Sequence, residues 1–216
     1  MIVDLVQDII CPWCRIGKAN LDKAISERNA EEPPVEVRLR PFQLNPQTPP
    51  EGVPFLAYMQ KLTGTDDPSP MWERVNEAGA RAGLTFNWNR VETMPNTLLA
   101  HALIYAAPEA DRGRLLDALH TAYFEDGRDI GDQETLLPIA AGIGLDRVAL
   151  AAALNFPDFR AMIAAQVNEI SRSGITGVPF FIFNDAVALS GAQPSEIILQ
   201  AMRKAEETVA AVGGDE

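Results

Sequence analysis

The sequence predicts an α/β protein whose four-stranded sheet is assembled from the two ends of the chain. Strand character appears near both ends of the chain, as alternation of apolar and polar residues near the first end and as an apolar, aromatic run at 180–183, whereas about a hundred residues between them follow helical spacing. The predicted order is therefore β-α-β, a helical block and then β-β-α, with helices on both faces of the sheet. The domain that contains the sheet is discontinuous, with residues 1–45 and 175–216, and residues 46–174 form a helical insertion domain.

The β-α-β unit rests on three signals. Mostly apolar residues over 2–7 predict a short, largely buried strand. Cys11-Pro12-Trp13-Cys14 follows it, and Pro12 suits the first turn of a helix, where an amide hydrogen would have no partner. Helical spacing then continues to about Asn29, and alternation over 35–40 predicts a second strand. A right-handed crossover is expected to join the two strands in parallel.

The helical block begins after a proline-rich, irregular connector between Pro41 and Pro54. We expect seven helices in it, several of them opened by an Asn or Asp cap: 55–62, 70–82, 96–107, 111–126, one from 132, 147–154 and 157–174. The large aromatic side chains of the block are expected to form its core: Trp72, Trp88, Phe124 and Phe156.

Strand character returns near the end of the chain. Residues 180–183 and 186–189 have strand composition, and the turn pair Asn184-Asp185 between them predicts a hairpin. A last helix is predicted from Pro194, with a frayed tail at 213–216.

The composition excludes several classes of function. A formal net charge of −12 disfavours binding to phosphate backbones. The sequence contains no run of about 18 apolar residues, so a membrane-spanning helix is not predicted. The first residues lack the basic segment of a secretory signal, so we expect a cytoplasmic protein; the alternative is a mature chain whose signal has been removed. Neither nucleic acid nor membrane is therefore an expected partner.

Cys11 and Cys14 are the only cysteines, which is too few for a disulfide scaffold. A structural zinc site usually needs four Cys or His ligands. The other candidate ligands are His101 and His120, which lie in separate helical segments and are expected to be structural. No metal site is therefore predicted, and the cysteine pair favours redox chemistry.

The position of Cys11 ahead of a helix favours a thiolate, because the free amides and the dipole of the first turn stabilise an anion. We therefore expect Cys11 to be an exposed nucleophile. Cys14, one turn further on, is expected to be less exposed and to resolve a mixed disulfide. Trp13 offers an apolar face to a substrate but adds no cation, so thiolate stabilisation should be weaker than with a histidine there. The alternative interpretation is a buried, inert pair of thiols.

The segment Gly177-Val178-Pro179-Phe180-Phe181 places a proline just before a buried strand, where it needs a tight turn or a cis peptide bond. The pattern alone favours an ordinary turn, because only about 5–6% of X–Pro bonds are cis. This segment and Cys11-Pro12-Trp13-Cys14, in this order around a helical insert, resemble the DsbA family and in particular its FrnE-like branch. Further stretches carry the resemblance: Ile16-Gly17-Lys18, Pro41-Phe42-Gln43-Leu44-Asn45-Pro46, Asn96-Thr97, Ala122-Tyr123-Phe124 and Gly191-Ala192-Gln193.

The resemblance implies a thioredoxin-like fold with a large all-helical insertion and the activity of a protein disulfide oxidoreductase or isomerase. It implies that Pro179 is cis and faces the sulfur of Cys11, and that the Val178 backbone pairs with an extended substrate. The implied partners are thiols or disulfides of proteins or small molecules, with glutathione as a co-substrate and no permanently bound cofactor.

The sequence departs from this family in two respects. The dipeptide between the cysteines lacks the histidine that is usual in periplasmic members, and no third cysteine is present for a second redox pair. Electrons must therefore pass to or from an external thiol, such as glutathione or a partner protein.

Two other classes of function remain open. Kappa-class glutathione transferases and 2-hydroxychromene-2-carboxylate isomerases are similar in fold and insert, but they typically have a serine where Cys11 lies and activate glutathione. In that alternative Ala192 and Gln193, ahead of the last helix, would hold a carboxylate of glutathione; otherwise they form a plain turn. The third alternative is a non-catalytic binding or chaperone-like protein that keeps the fold.

Overall fold

The computed structural model describes residues 1–29 and 31–213, and the predicted sheet lies at the two ends of the chain. Its strands are β1 (Ile2–Gln7), β2 (Glu36–Pro41), β3 (Val53–Pro54), β4 (Thr93–Met94), β5 (Phe180–Phe183) and β6 (Val187–Ser190). Its helices are α1 (Pro12–Ser26), α2 (Phe55–Thr63), α3 (Ser69–Arg81), α4 (Leu98–Ala106), α5 (Arg112–Phe124), α6 (Gln133–Gly142), α7 (Arg147–Leu154), α8 (Pro157–Arg172) and α9 (Ser195–Gly213). Gly213 ends α9, and the rest of the predicted frayed tail, 214–216, lies outside the described residues.

The predicted four-stranded sheet is confirmed, with the strand order β2-β1-β5-β6. β1 runs parallel to β2, with Leu5 opposite Leu39, because α1 crosses over between them. β5 is antiparallel to β1, with Phe181 opposite Leu5, and β5 and β6 form the predicted hairpin. Asn184 and Asp185 turn the hairpin with φ values of 48° and 54°, a left-handed conformation that these two residue types tolerate better than most.

Helices cover both faces of this sheet, as predicted. On one face the fully buried side chains of Val3, Leu5, Phe181 and Phe183 lie beneath α1 and α9. On the other face α8 packs against β2. β1 ends at Gln7 and α1 begins at Pro12, so the cysteine pair lies just beyond the carboxyl end of β1.

The block from α2 to α8 has a core of aromatic rings. Phe55, Trp72 and Trp88 stack with their ring centroids 5.9–6.3 Å apart, and Phe124 meets Trp88 edge-on at 5.9 Å. This arrangement confirms the expectation for Trp72, Trp88 and Phe124. The expectation for Phe156 is wrong: this residue is the N-cap of α8 and is 60% exposed.

The β3–β4 ladder, in which Val53 lies opposite Met94, was not predicted. Each strand has only two residues, and β3 lies in the connector that was expected to be irregular, so neither is long enough to show alternation. No single helix within the described residues is long and apolar enough to cross a membrane; α7 and α8 pass that test only as a pair, which is bent by 74°. The division into a domain of residues 1–45 and 175–216 and an insertion of residues 46–174 stays a proposal.

Candidate active site

The two cysteines lie at the start of α1. Cys11 is the N-cap residue, and its carbonyl oxygen accepts hydrogen bonds from the amides of Cys14 (3.0 Å) and Arg15 (3.3 Å). Its own amide donates to the carbonyl oxygen of Asp8 (3.0 Å). The thiols are not bonded to each other, and no side chain caps the helix. The partial positive charge of the first amides of α1 can therefore act on the Cys11 thiol.

Both thiols are buried, which corrects the expectation of an exposed Cys11. Cys11 is 4% exposed and Cys14 is 0% exposed, so the predicted order of exposure is right while the predicted accessibility of Cys11 is wrong. The cover comes from a distant part of the chain: Cys11 Sγ lies 3.7 Å from the carbonyl oxygen of Val178, 167 residues further on. A local sequence pattern cannot reveal such a contact.

Burial raises the pKa of the Cys14 thiol well above its ordinary value. The hydrogen bond and the charge of the Cys11 side chain act in the same direction, whereas a hydrogen bond from the Asp8 backbone lowers the pKa of Cys14. Cys14 therefore keeps its proton at neutral pH, and its reaction as a nucleophile requires that the proton be removed. This property suits a second, resolving step better than a first attack.

The Val178–Pro179 segment lies beside Cys11, and its peptide bond is cis. The Gly191 amide donates to the Pro179 carbonyl oxygen (2.9 Å), which connects this segment to the end of β6. In the part of the chain that the structure describes, neither the amide nor the carbonyl group of Val178 has a backbone hydrogen-bond partner. The amide and carbonyl groups of Val178 are thus left without a backbone partner next to the thiol, and the Cys11 thiol is the hydrogen-bond donor to the carbonyl oxygen.

The structure brings Ala192 to the motif, but the side chain of Gln193 is engaged elsewhere. Ala192 lines a groove together with Trp13. The Gln193 side-chain amide donates to the carbonyl oxygen of Ser190 (3.0 Å), and the Gln193 carbonyl oxygen accepts from Asn20 Nδ2 (2.9 Å). Gln193 thus stabilises the turn before α9.

Asp8 is a site residue that the sequence analysis missed. It is 0% exposed, and its Oδ2 accepts a hydrogen bond from the Leu44 amide (2.8 Å). Its Oδ1 lies 3.5 Å from His101 Nε2, which is 2.9 Å from the carbonyl oxygen of Phe42. Asp8 therefore connects the turn before Cys11 to the segment after β2. The signal available in the sequence was an acidic residue that interrupts an apolar segment, three positions before the first cysteine.

Two buried cations of α1 attach the cysteine helix to the helical block. Arg15 donates to the carbonyl oxygen of Thr85 (2.7 Å) and forms an ion pair with Glu125. Lys18 Nζ lies 2.9 Å from Asp117 Oδ2. Because a buried charge is costly without a partner, these pairs fix the helix against α5 and the loop after α3. Within the described ranges no group of three His, Cys, Asp or Glu side chains could hold a metal ion.

The sequence matches the family model described as a DSBA-like thioredoxin domain over residues 2–203. The structure is similar to the crystal structure of a probable DsbA oxidoreductase from Streptomyces coelicolor, with 32% sequence identity and a TM-score of 0.86. That match covers 96% of this chain and 90% of the other.

Two more distant structures share the fold. A 2-hydroxychromene-2-carboxylate isomerase is 16% identical with a TM-score of 0.68, over 98% of this chain and 99% of the other. The cytosolic disulfide reductase DsbM from Pseudomonas aeruginosa, solved with glutathione, is 19% identical with a TM-score of 0.63, over 98% of both chains. At these identities the likeness concerns the fold alone.

Proposed function

Since the chain belongs to the family of DSBA-like thioredoxin domains, we propose that it is a thiol–disulfide oxidoreductase that works through Cys11 and Cys14. One observation carries the proposal: an N-cap thiol lies against the Val178–Pro179 peptide bond, with a second, fully buried thiol one helical turn away. The first thiol is placed where a thiolate is stabilised, and the second is close enough to replace the substrate on it.

The proposed reduction of a substrate proceeds in two exchanges. The Cys11 thiolate attacks one sulfur of a substrate disulfide, the substrate S–S bond breaks, and the other substrate sulfur leaves and takes up a proton. Cys14 then loses its proton and attacks Cys11 Sγ, which releases the second substrate thiol and forms a Cys11–Cys14 disulfide. The substrate gains two electrons from the two cysteines and two protons, one that Cys14 gives up and one from the solvent, which had received it when the Cys11 thiolate formed. Oxidation of a substrate dithiol is the same sequence in reverse.

The Val178 backbone is the proposed docking point for an extended substrate. Its amide and carbonyl groups have no backbone partner among residues 1–29 and 31–213, so a peptide segment could pair with the amide and replace the Cys11 thiol as the hydrogen-bond donor to the carbonyl oxygen. Pairing there would place the substrate sulfur alongside Cys11 Sγ, which lies 3.7 Å from the Val178 carbonyl oxygen. This geometry supports protein disulfides and small peptide disulfides alike.

An external thiol has to complete the cycle, because Cys11 and Cys14 are the only cysteines in the sequence. Glutathione is the first candidate, since the distant DsbM structure was solved with it. DsbM is described as cytosolic, and a cytoplasmic site of action for this protein would supply the same thiol, because glutathione keeps cytosolic thiols reduced.

The glutathione-dependent isomerase or transferase alternative has weaker support. This sequence carries a cysteine where those enzymes typically have a serine, and a second, fully buried thiol lies one helical turn away from it. A glutathione-dependent isomerisation of a small molecule would not need Cys14, whereas the proposed disulfide exchange needs both cysteines. The chaperone-like alternative needs neither.

Redox titration in glutathione buffers, combined with an insulin-reduction assay, tests the proposal on the wild type, Cys11→Ser and Cys14→Ser. We expect a reversible two-electron couple between about −120 and −270 mV and no insulin reduction by either variant. Retention of full insulin reduction by Cys11→Ser would overturn the proposal. Full activity of Cys11→Ser on a small glutathione-dependent isomerase substrate would favour the isomerase class instead.

A further inference from the structure

We propose that the groove beside Trp13 binds the carboxylate of a small thiol or disulfide substrate, and that Arg74 and Arg81 of the helical block select this substrate class. The inference rests on the proposed function, because it concerns what that function acts on. It adds residues of α3, a helix remote from the cysteine pair in the sequence, to those that determine which substrate is bound.

The groove lies where α1, α3 and the start of α9 meet and has a volume of about 490 Å³. This volume falls within the range of small-ligand pockets, roughly 300–1,000 Å³. Trp13, between the two cysteines, forms part of the wall, and Arg74, Ala78 and Arg81 line it from α3. A ligand in the groove would therefore contact the redox motif through Trp13, since neither cysteine lines the groove, and would contact the arginines of α3.

The charges in the groove favour an anion. Its lining includes three cationic side chains and two acidic ones: Lys23, Arg74, Arg81, Glu77 and Glu196. Lys23 also pairs with Glu27, outside the lining, at 3.8 Å, so the two arginines are the cations that remain for a ligand. The excess of one positive charge is notable in a chain whose formal net charge is −12. A groove on such a surface would be acidic if its lining were an average sample of the chain.

Arg74 and Arg81 are available for a ligand. They lie seven residues apart on α3, which places both on the same side of the helix. Among the described residues neither guanidinium has a carboxylate oxygen within 4.0 Å, although Glu77 lies between them in the sequence. A guanidinium group binds a carboxylate through two parallel hydrogen bonds, so these side chains suit the carboxyl groups of a peptide-like ligand.

The substrate that this arrangement fits carries a carboxylate close to its disulfide. Glutathione disulfide is the probe with that chemistry, bis(2-hydroxyethyl) disulfide is the neutral control, and cystamine replaces the carboxylates by ammonium groups. In each case the reduced protein gives two electrons and two protons to the disulfide, which yields two small thiols and a Cys11–Cys14 disulfide.

The test compares the rate of oxidation of reduced protein by these three disulfides, followed by acid quench and mass spectrometry. The variants are Arg74→Gln, Arg81→Gln and the double variant. Arg160→Gln on α8 is the matched control, because it removes the same charge from an exposed position outside the groove. We expect the double variant to lose about tenfold in rate with glutathione disulfide, less than about twofold with the neutral disulfide, and to react faster with cystamine.

Binding without chemistry provides the second measurement. S-methylglutathione keeps both carboxylates and cannot exchange, and its affinity should fall by about tenfold in the double variant and stay unchanged in Arg160→Gln. Equal losses with all three disulfides, or unchanged rates and affinity in the double variant, would overturn the inference. A wild-type protein that none of the disulfides oxidises would instead overturn the proposed function, and the affinity for S-methylglutathione would still report on the groove.

Discussion

The ring of Pro179 lies on the backbone of Gly17: a Cβ atom added to Gly17 would stand 2.8 Å from Pro179 Cγ and 3.2 Å from Phe181 Cζ. Real Cβ atoms essentially never approach another heavy atom to 2.8 Å, and a proline ring cannot rotate away as a flexible side chain can. The missing side chain of Gly17 therefore allows the segment that covers Cys11 to pack against α1.

Gly17→Ala should consequently destabilise the protein, although alanine is the better helix former. Overpacking costs about 1–3 kcal/mol, against a gain in helix propensity of about 1 kcal/mol. We expect the free energy of unfolding in urea to fall by up to about 2 kcal/mol, and thiol exchange to be slower, because the Pro179 segment is displaced from Cys11. Gly113→Ala is the matched control, because Gly113 is also helical and has no atom within 4 Å of an added Cβ. This substitution should raise the free energy of unfolding by about 0.4–1 kcal/mol. A stabilised Gly17→Ala protein would contradict this prediction.

The raised pKa of Cys14 should make the second exchange step depend on pH. Below that pKa the thiolate fraction of Cys14 rises by about tenfold for each pH unit, and only the thiolate attacks. The decay of a Cys11–glutathione mixed disulfide, measured by rapid acid quench, should therefore accelerate by about that factor per unit between pH 6 and 8. In Cys14→Ser the mixed disulfide should persist throughout this range. A decay rate that does not change with pH in the wild type would show that deprotonation of Cys14 is not limiting.

His120 should make the protein sensitive to acid. Neither ring nitrogen has a hydrogen-bond partner in the described part of the chain, and the residue is 1% exposed. Burial lowers the pKa of His120 well below its ordinary value, and the charges of Arg15 and Lys18 act in the same direction. The unfolded chain takes up a proton near pH 6.5 while the folded chain does not, so stability is lost as the pH falls through about 6.5.

Unfolding in urea at pH 7.5 and 5.5 measures this effect. One such histidine lowers the free energy of unfolding by about 1.4 kcal/mol between pH 7.5 and pH 5.5, and His120→Leu should remove this difference. At pH 7.5 the leucine variant should be at least as stable as the wild type, because an unpartnered buried polar group is replaced by an apolar one. His101→Leu serves as the comparison, since it removes the contact with the Phe42 carbonyl oxygen and should be less stable at both pH values. An equal loss at low pH in the wild type and His120→Leu would assign the acid sensitivity to other groups.

Arg15→Ala should destabilise the protein, because Arg15 attaches α1 to the helical block. The side chain donates to the Thr85 carbonyl oxygen, pairs with Glu125 and lies 5.2 Å from the centroid of the Phe86 ring. Its removal leaves the Thr85 carbonyl group and a half-buried carboxylate without this partner, which should cost about 2–4 kcal/mol in chemical unfolding. Arg160→Ala, at an exposed position, should change stability by less than about 0.5 kcal/mol. Similar stability of the two variants would show that the Arg15 contacts contribute little.

Local signals were sufficient to predict most of the elements. Pro12 marks the first turn of α1, and the side chains of Asp132 and Asp146 accept amide hydrogens at the starts of α6 and α7, as the cap pattern indicates. Alternation identified β2, whose period of two residues is visible over six positions, and a mostly apolar run identified β1. Each of these signals lies within one element, which is why the sequence alone reveals it.

The parts that could not be predicted depend on contacts between distant segments. Arg15 and Glu125 are 110 residues apart, and Asp8 lies 36 residues from Leu44, so no periodic pattern connects these residues. The burial of Cys11 has the same origin, because its cover is Val178. Phe156 shows the opposite error: its residue type favours the interior, but its position ahead of α8 leaves it exposed.

The 167 residues between Cys11 and Val178 also have a consequence for biosynthesis. At translation speeds of about 5–20 residues per second, the first cysteine is made roughly 10–30 s before the valine that will cover it. During this interval the nascent chain carries a thiol that no β5 segment can yet shield. A ribosome that stalls anywhere inside the helical block would leave a polypeptide with a complete cysteine motif but without the Val178–Pro179 segment.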